Sequence, residues 1–240
     1  MANRKLAVLI DSENTPHSKL SLIIEELSSF GQIIVKRAYG DFSSDHLKNW
    51  KKPLNELAIQ AKQQFSYTVG KNSTDALMII DAMDLLYSER FDSFAIISSD
   101  SDFTSLATRL RESEIYVIGV GKSSTPSSFK NACGDFIALE NLGLNESPES
   151  NISENIEADK ELWQLMHQAW QNYRDEAGWA KLGEVGKYLK RLKSDFDTRS
   201  YGLKKLSDFF ELHPDRYKTR NTKNSGLEFQ LITKSSRSSS

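Results

Sequence analysis

The chain has 240 residues, 38% of them hydrophobic and 27% charged, with a formal net charge of −2. That length suits one large domain or two small ones at roughly 100–200 residues each, and the apolar share is enough for a packed core. Total charge this close to zero points to no partner, and the one cysteine, Cys133, excludes an internal disulfide and a cysteine-based zinc site.

The first apolar run, Leu6–Ile10, is too short for a signal peptide or a membrane span and reads as a buried strand, so a cytoplasmic protein is expected. His17–Ser29 carries Leu20, Ile23, Ile24 and Leu27 at helical spacing and ends at Gly31. Ile33–Tyr39 reads as a strand, Leu54–Ala61 as a helix with Pro53 in its first turn, and Phe65–Val69 as a third strand. Ala76–Tyr87 is an apolar helix, Phe94–Ser98 a strand, Phe103–Leu110 a helix and Tyr116–Val120 a strand. Ser127–Ala132 reads as a short helix before a last strand, Phe136–Leu139. This alternation predicts an α/β domain over residues 1–142, with a mostly parallel, Rossmann-like sheet and helices on both faces.

The pattern then changes. Asn145–Glu161 holds six acidic residues against Lys160 alone, and an acidic linker is expected over residues 143–159. Leu162–Tyr173 is amphipathic, Leu182–Leu192 reads as a second helix and Tyr201–Phe210 as a third. Arg216–Thr219 and Leu227–Ile232 flank turn material at Asn221–Gly226. Three helices and a hairpin predict a small winged-helix domain over residues 160–233, followed by a disordered Ser-rich tail over 234–240.

The chemistry-bearing residues of the first domain are acids at expected strand ends. Asp11 ends the first strand in Leu-Ile-Asp-Ser-Glu-Asn, and Asp100 and Asp102 follow the fourth in Ser-Ser-Asp-Ser-Asp-Phe. Ligand sites on open parallel sheets lie beyond the carboxyl ends of the strands, where the strand order reverses. If strands one and four are neighbours, these carboxylates meet there, and Asp75, at the start of the following helix, is close enough to join. Gathered like charges call for a cation, and the hard oxygen set points to Mg²⁺ or Mn²⁺, which activate water against a phosphodiester. The plainer role for Asp75 or Asp102 is a helix cap. Asn14 is either a cap or a residue that orients metal-bound water, and Asp81 either lines the crevice or faces water. Gly119-Val-Gly-Lys-Ser-Ser124 has the look of a phosphate loop, but the earlier glycine such a loop needs is Tyr116, so ATP binding is not expected. Lys122 reads as a solvated loop lysine.

Leu6-Ala-Val-Leu-Ile-Asp-Ser-Glu-Asn14, Lys71-Asn-Ser-Thr-Asp75 with Asp81, and Ser98-Ser-Asp-Ser-Asp-Phe103 resemble the three acidic motifs of the NYN domain, a PIN-like nuclease family that includes the LabA-like proteins. Tyr116-Val-Ile-Gly-Val-Gly121 and Phe136-Ile-Ala-Leu139 resemble its closing strands. The resemblance implies a metal-dependent ribonuclease with Asp11, Asp75, Asp100 and Asp102 as metal-binding acids and Asn14 beside the first. Lys71-Asn-Ser-Thr-Asp75 departs from the Lys-Gly-Val-Asp run common in that family but keeps the acid.

From Gly178 onward fourteen basic residues stand against seven acidic ones, a net of +7. Such clustering is a footprint for a phosphate backbone. Lys204 and Lys205 fall on the expected third helix, and Arg216, Lys218 and Arg220 alternate along the expected wing. Trp163, Trp170, Trp179, Phe196 and Tyr201 read as core. Trp179 to Leu189, Phe196 and Tyr201-Gly-Leu-Lys-Lys-Leu-Ser-Asp-Phe209 resemble the OST-HTH, or LOTUS, domain, which implies RNA binding or, in some relatives, a protein partner.

The expected function is a metal-dependent ribonuclease whose second domain tethers RNA. The alternative is a non-catalytic RNA-binding adaptor on the same fold. A response-regulator-like domain and a DNA-binding regulator are weaker readings, the first for want of a matching lysine, the second because it rests on the winged helix alone. RNA target, metal identity and homo-oligomerisation stay open.

Overall fold

A computed structural model describes residues 4–65, 73–143, 160–222 and 226–232 of the chain. It divides into two compact units, Met1–Gly143 and Leu144–Ser240. Most of the expected linker and the tail lie outside the described residues.

The first unit is a six-stranded sheet in the order β3-β2-β1-β4-β5-β6, with every neighbouring pair parallel. Its strands are β1 (Lys5–Asp11), β2 (Gln32–Gly40), β3 (Gln60–Gln63), β4 (Ser93–Ile97), β5 (Tyr116–Gly121) and β6 (Asp135–Ala138). The connecting helices are α1 (Leu20–Ser28), α2 (Lys51–Glu56), α3 (Ser73–Tyr87), α4 (Thr104–Glu112) and α5 (Ser127–Ala132). β1 is apolar at consecutive positions because both of its faces are covered. Leu6, Val8 and Ile10 pack with Leu20, Ile23 and Leu27 of α1 and with Trp50 and Leu54. Ala7 and Leu9 pack on the other side with Met78 and Ala82 of α3, Leu106 and Leu110 of α4 and Phe129 of α5. The alternation follows from the two-residue period of a strand. The chain runs outward from β1 through β2 to β3 and returns to β4 on the other side of β1, so the strand order reverses between β1 and β4.

Two expected elements move. The helix near Pro53 is α2, earlier than Leu54–Ala61, and Ala58, with φ +49°, stands in the left-handed region just after it. The third strand is Gln60–Gln63 rather than Phe65–Val69. As the edge of the sheet it buries little, so its sequence Gln-Ala-Lys-Gln carries no apolar run. Phe65 is exposed, and residues 66–69 lie outside the described residues, as do Lys71 and Asn72. The glycines that mimic a phosphate loop belong to β5. A Cβ on Gly121 would meet the Ser98 carbonyl oxygen at 2.5 Å, and one on Gly119 would meet the Phe136 ring at 2.6 Å and Cys133 Sγ at 2.7 Å. They are packing glycines in a crowded strand.

The second unit holds α6 (Lys160–Tyr173), β7 (Ala180–Lys181), α7 (Leu182–Leu192), α8 (Asp208–Glu211), β8 (Tyr217–Thr222) and β9 (Gly226–Leu231). The antiparallel sheet runs β7-β9-β8. Leu162, Met166 and Ala169 of α6, Val185 and Leu189 of α7, and Leu203, Phe209, Phe210 and Phe229 form its core. Phe210 stacks on Phe229 with ring centroids 4.3 Å apart. Trp170, Phe196 and Tyr201 are buried here, and Trp163 and Trp179 partly so. The expected helix Tyr201–Phe210 is not continuous. A 3-10 turn, Thr198–Tyr201, ends at Gly202 with φ +72°, and helix resumes only at Asp208. A left-handed glycine ends a helical turn, so Lys204 and Lys205 lie on irregular chain, exposed, and not on a helix.

No helix among the described residues is long and apolar enough to cross a membrane.

Candidate active site

The reversal in strand order gathers the acids. β1 and β4 are hydrogen-bonded neighbours, with Ile10 opposite Ile97. Asp11 is the next residue of β1, and Ser98 follows β4. Asp11 is 1% exposed, and its carboxylate is held on every side. Oδ2 accepts from Ser98 Oγ at 2.7 Å and from Asn14 Nδ2 at 2.8 Å. Oδ1 accepts from the backbone N–H groups of Glu13 at 3.1 Å and Asn14 at 3.3 Å. Such a set of donors fixes the orientation of the buried carboxylate. Asn14 therefore acts here by fixing Asp11.

Ser98 links the two strand ends. Its hydroxyl donates to Asp11 and accepts from the Asp100 N–H at 3.0 Å. Asp100 in turn caps the 3-10 turn Ser101–Phe103, its Oδ1 accepting from the Asp102 N–H at 2.9 Å. Capping thus falls to Asp100, while Asp102 sits exposed within the turn. Asp75 stands in the first turn of α3, part-exposed. Burial, and then the charges of Asp11, Asp100, Glu13 and Asp102, push its carboxyl up to about 6. All four sequence-expected acids therefore share one field. Their side chains are not drawn together as they stand: among the described residues no group of three His, Cys, Asp or Glu is placed to hold an ion.

Two members of this site were not singled out by sequence. Glu13 adds its charge and accepts from Thr74 Oγ1 at 3.3 Å. Ser98 carries the bond between the strands. Both lie inside motifs that carry the acids, and adjacency was the available signal. Asp81 neither joins the acids nor faces water. It pairs with Arg37 Nη1 at 2.7 Å and accepts from the Tyr39 hydroxyl, which pins α3 to β2. Burial, then Asp81, hold that tyrosine hydroxyl far above its ordinary range.

In the second unit the expected RNA contacts differ from one another. Lys204, Lys205 and Lys218 are exposed. Arg220 bonds Glu228 Oε2 through Nε at 2.8 Å and Nη2 at 2.7 Å, and lies over the Trp179 ring at 4.1 Å. Arg216 lies over the Trp163 ring at 4.7 Å and reaches Asp215 at 4.0 Å. The wing therefore shows less uncommitted charge than its sequence suggests.

Comparison with known proteins follows this division. The family model of the NYN domain matches residues 5–140, and that of the OST-HTH/LOTUS domain matches residues 156–227. An uncharacterised protein of Methanocaldococcus jannaschii is 25% identical over 138 residues, which is 55% of this chain and 54% of that protein. The chain thus spans about half the length of this curated relative. A crystal structure of a Vibrio parahaemolyticus protein of unknown function covers 57% of this chain and 93% of its own at 15% identity, with a TM-score of 0.47. A solution structure of an uncharacterised Nitrosomonas europaea protein covers 38% of this chain and 84% of its own at 29% identity, with a TM-score of 0.28.

Proposed function

The chain belongs to the NYN domain family, with an OST-HTH/LOTUS domain after it, and from that premise we propose that it is a metal-dependent ribonuclease whose second domain tethers the substrate. The observation that carries this is that Asp11 and Asp100 both bond the Ser98 hydroxyl beyond the ends of two hydrogen-bonded parallel strands, where the strand order reverses. The donor chemistry fits Mg²⁺ or Mn²⁺. The oxygens are hard and anionic, and the Asp75 carboxyl is raised first by burial and then by the neighbouring acids, a repulsion that a cation would relieve. Asp11, Asp75, Asp100 and Asp102 would hold the ion. When bound, it supplies charge neutralisation at a phosphodiester and an acidified water.

The protein's own residues do the rest. Ser98 and Asn14 keep Asp11 oriented. Lys204, Lys205 and Lys218 present cations to an RNA backbone, and holding the strand there raises its effective concentration at the acids.

A second reading, an adaptor that binds RNA without cutting it, is favoured by one observation: Asp11 already accepts four hydrogen bonds from the protein. Incubation with RNA and with DNA, with and without Mn²⁺, beside an Asp100→Asn control, decides between them. RNA cleavage that needs the metal and Asp100 supports the enzyme. RNA binding with no cleavage supports the adaptor.

A further inference from the structure

A cleft of about 330 Å³ opens next to the acids. Its floor is Ser12, Thr15, Leu47 and Trp50, all buried, and its rim carries His17, His46 and Lys122, all exposed. Asn14, whose side chain holds Asp11, also lines it, so the cleft and the acids share a wall.

The chemistry of the floor is unfinished. Ser12 is 2% exposed, and its hydroxyl has no hydrogen-bond partner among the described residues. Buried hydroxyls are nearly always bonded, and one left without a partner is costly. The position is set by the backbone: the Ser12 N–H donates to the Tyr39 carbonyl at 3.0 Å, continuing the β1–β2 ladder past Asp11. Thr15, beside it, already donates its hydroxyl to the Ile97 carbonyl. Ser12 therefore keeps an unpaired hydroxyl, with almost no exposed surface of its own, in the wall of the cleft. Around it are surfaces that a nucleotide uses: an apolar floor for one face of a base, and an ammonium and two imidazoles at the mouth for a phosphate, with the Glu13 carboxylate on the same lining. The volume is at the low end for small-molecule pockets, roughly 300–1,000 Å³.

We propose that this cleft seats a single unpaired nucleotide of the RNA strand next to the scissile phosphate. Its base or ribose bonds Ser12 Oγ, and its phosphate meets Lys122 and the two imidazoles. The identity of the ligand as part of an RNA substrate rests on the ribonuclease reading above. The consequence is a preference for single-stranded over duplex RNA, since a base must leave its stack to enter.

The four histidines of the chain make the test selective. His17 and His46 line the cleft, whereas His167 and His213 belong to the second unit. The imidazole resonances of the full-length protein, without divalent metal, are followed on titration with each of the four ribonucleoside 5′-monophosphates and with inorganic phosphate. His17 and His46 are expected to shift saturably with a nucleotide while the buried His213 does not. Ser12→Ala is expected to weaken that binding about fivefold without lowering the melting temperature, and to raise KM for single-stranded RNA with kcat little changed. Equal responses to inorganic phosphate, or unaltered nucleotide affinity in Ser12→Ala, would overturn the proposal. If the histidines respond but RNA is never cut, the cleft stands and the ribonuclease reading falls. If RNA is cut and the histidines stay silent, the reverse holds.

Discussion

The two units handle charge in opposite ways. In the first, acids share one field beyond the ends of buried strands, and Asp11 is almost fully buried with donors on both oxygens. In the second, the basic residues are spread over the surface, and Arg220 is already paired with Glu228. Like charges in one field repel, and under the proposed function a cation would relieve them. Opposite charges that find each other signal structural pairing, which leaves less charge for a partner. A tally of residues cannot tell these apart, because the difference lies in what each group faces.

The largest expected effect separates two acids of the first unit. Asp100→Asn should lower metal-dependent cleavage of RNA by about a thousandfold, or ~4 kcal/mol, and leave the fold stable, since Asn can still cap the turn through its amide oxygen. Asp11→Asn should lose as much activity and also stability. One carboxylate oxygen would become an NH₂ that faces either the Ser98 hydroxyl or backbone N–H donors, an unsatisfied buried contact worth about 1–3 kcal/mol. Cleavage kinetics together with thermal melting of both variants check this. Near-wild-type cleavage by either would remove the enzyme reading.

The second test uses pH and metal. The Asp75 carboxyl is raised from 3.8 to about 6 in the folded protein. Between those values the folded state binds more protons than the unfolded chain, so stability falls as pH rises through the folded pKa. Without metal, the protein should therefore be more stable near pH 4.5 than near pH 7 as far as this group is concerned, by about 1 kcal/mol after discounting for solvent screening of a part-exposed carboxyl. Mg²⁺ or Mn²⁺ should recover that loss at pH 7, and Asp75→Asn should remove both the pH slope and the metal response. Melting temperatures across pH, with and without metal, measure it. A wild-type melting temperature indifferent to metal at pH 7 would mean that the acids do not gather a cation.

Much of this was legible in the sequence, for stated reasons. Strands covered on both faces must be apolar, so β1, β4 and β5 stand out, and acids placed just after them point to the crevice. The edge strand Gln60–Gln63 escaped because an edge buries little and needs no apolar residue. The third helix of the second unit was over-read. Leu203, Leu206 and Phe210 gave an apolar pattern, but Gly202 in the left-handed region interrupts it, and the glycine was the available warning. The Arg220–Glu228 pair follows from hairpin register, in which the two residues are directly opposite. A count of basic residues does not see it. Ser98 escaped because a hydroxyl between two acids announces no chemistry until the strands are known to be neighbours.

A third test asks which cations of the second unit reach RNA. Lys204, Lys205 and Lys218 are exposed, whereas Arg220 is stacked and paired. Replacing all three lysines with Ala should weaken binding of single-stranded RNA about tenfold or more and reduce the salt slope by roughly 0.7 for each phosphate that is no longer neutralised. Cleavage at saturating RNA should change less than cleavage at low RNA, since a tether binds ground state and transition state alike. Filter binding over a salt series reports the slope. A salt-independent affinity, or full binding by the triple variant, would move this unit from RNA tether to protein docking.

The smallest expected effect is the most direct probe of pairing. Glu228 is buried and opposite Arg220 on the neighbouring strand, and its carboxylate neutralises the guanidinium. Glu228→Gln keeps an acceptor oxygen for one Arg220 N–H and removes the negative charge, while the stack on Trp179 continues to hold the guanidinium in place. If pairing is what withholds Arg220 from RNA, this variant should bind RNA about two- to threefold more tightly at low salt, with a salt slope steeper by roughly 0.7, the value for one further neutralised phosphate on a single strand. The gain should vanish in Glu228→Gln combined with Arg220→Gln, which distinguishes release of that one guanidinium from a general rise in net charge. An unchanged slope in Glu228→Gln would mean that Arg220 is fixed by Trp179 rather than by charge, and that the wing contributes structure while the exposed lysines hold the RNA.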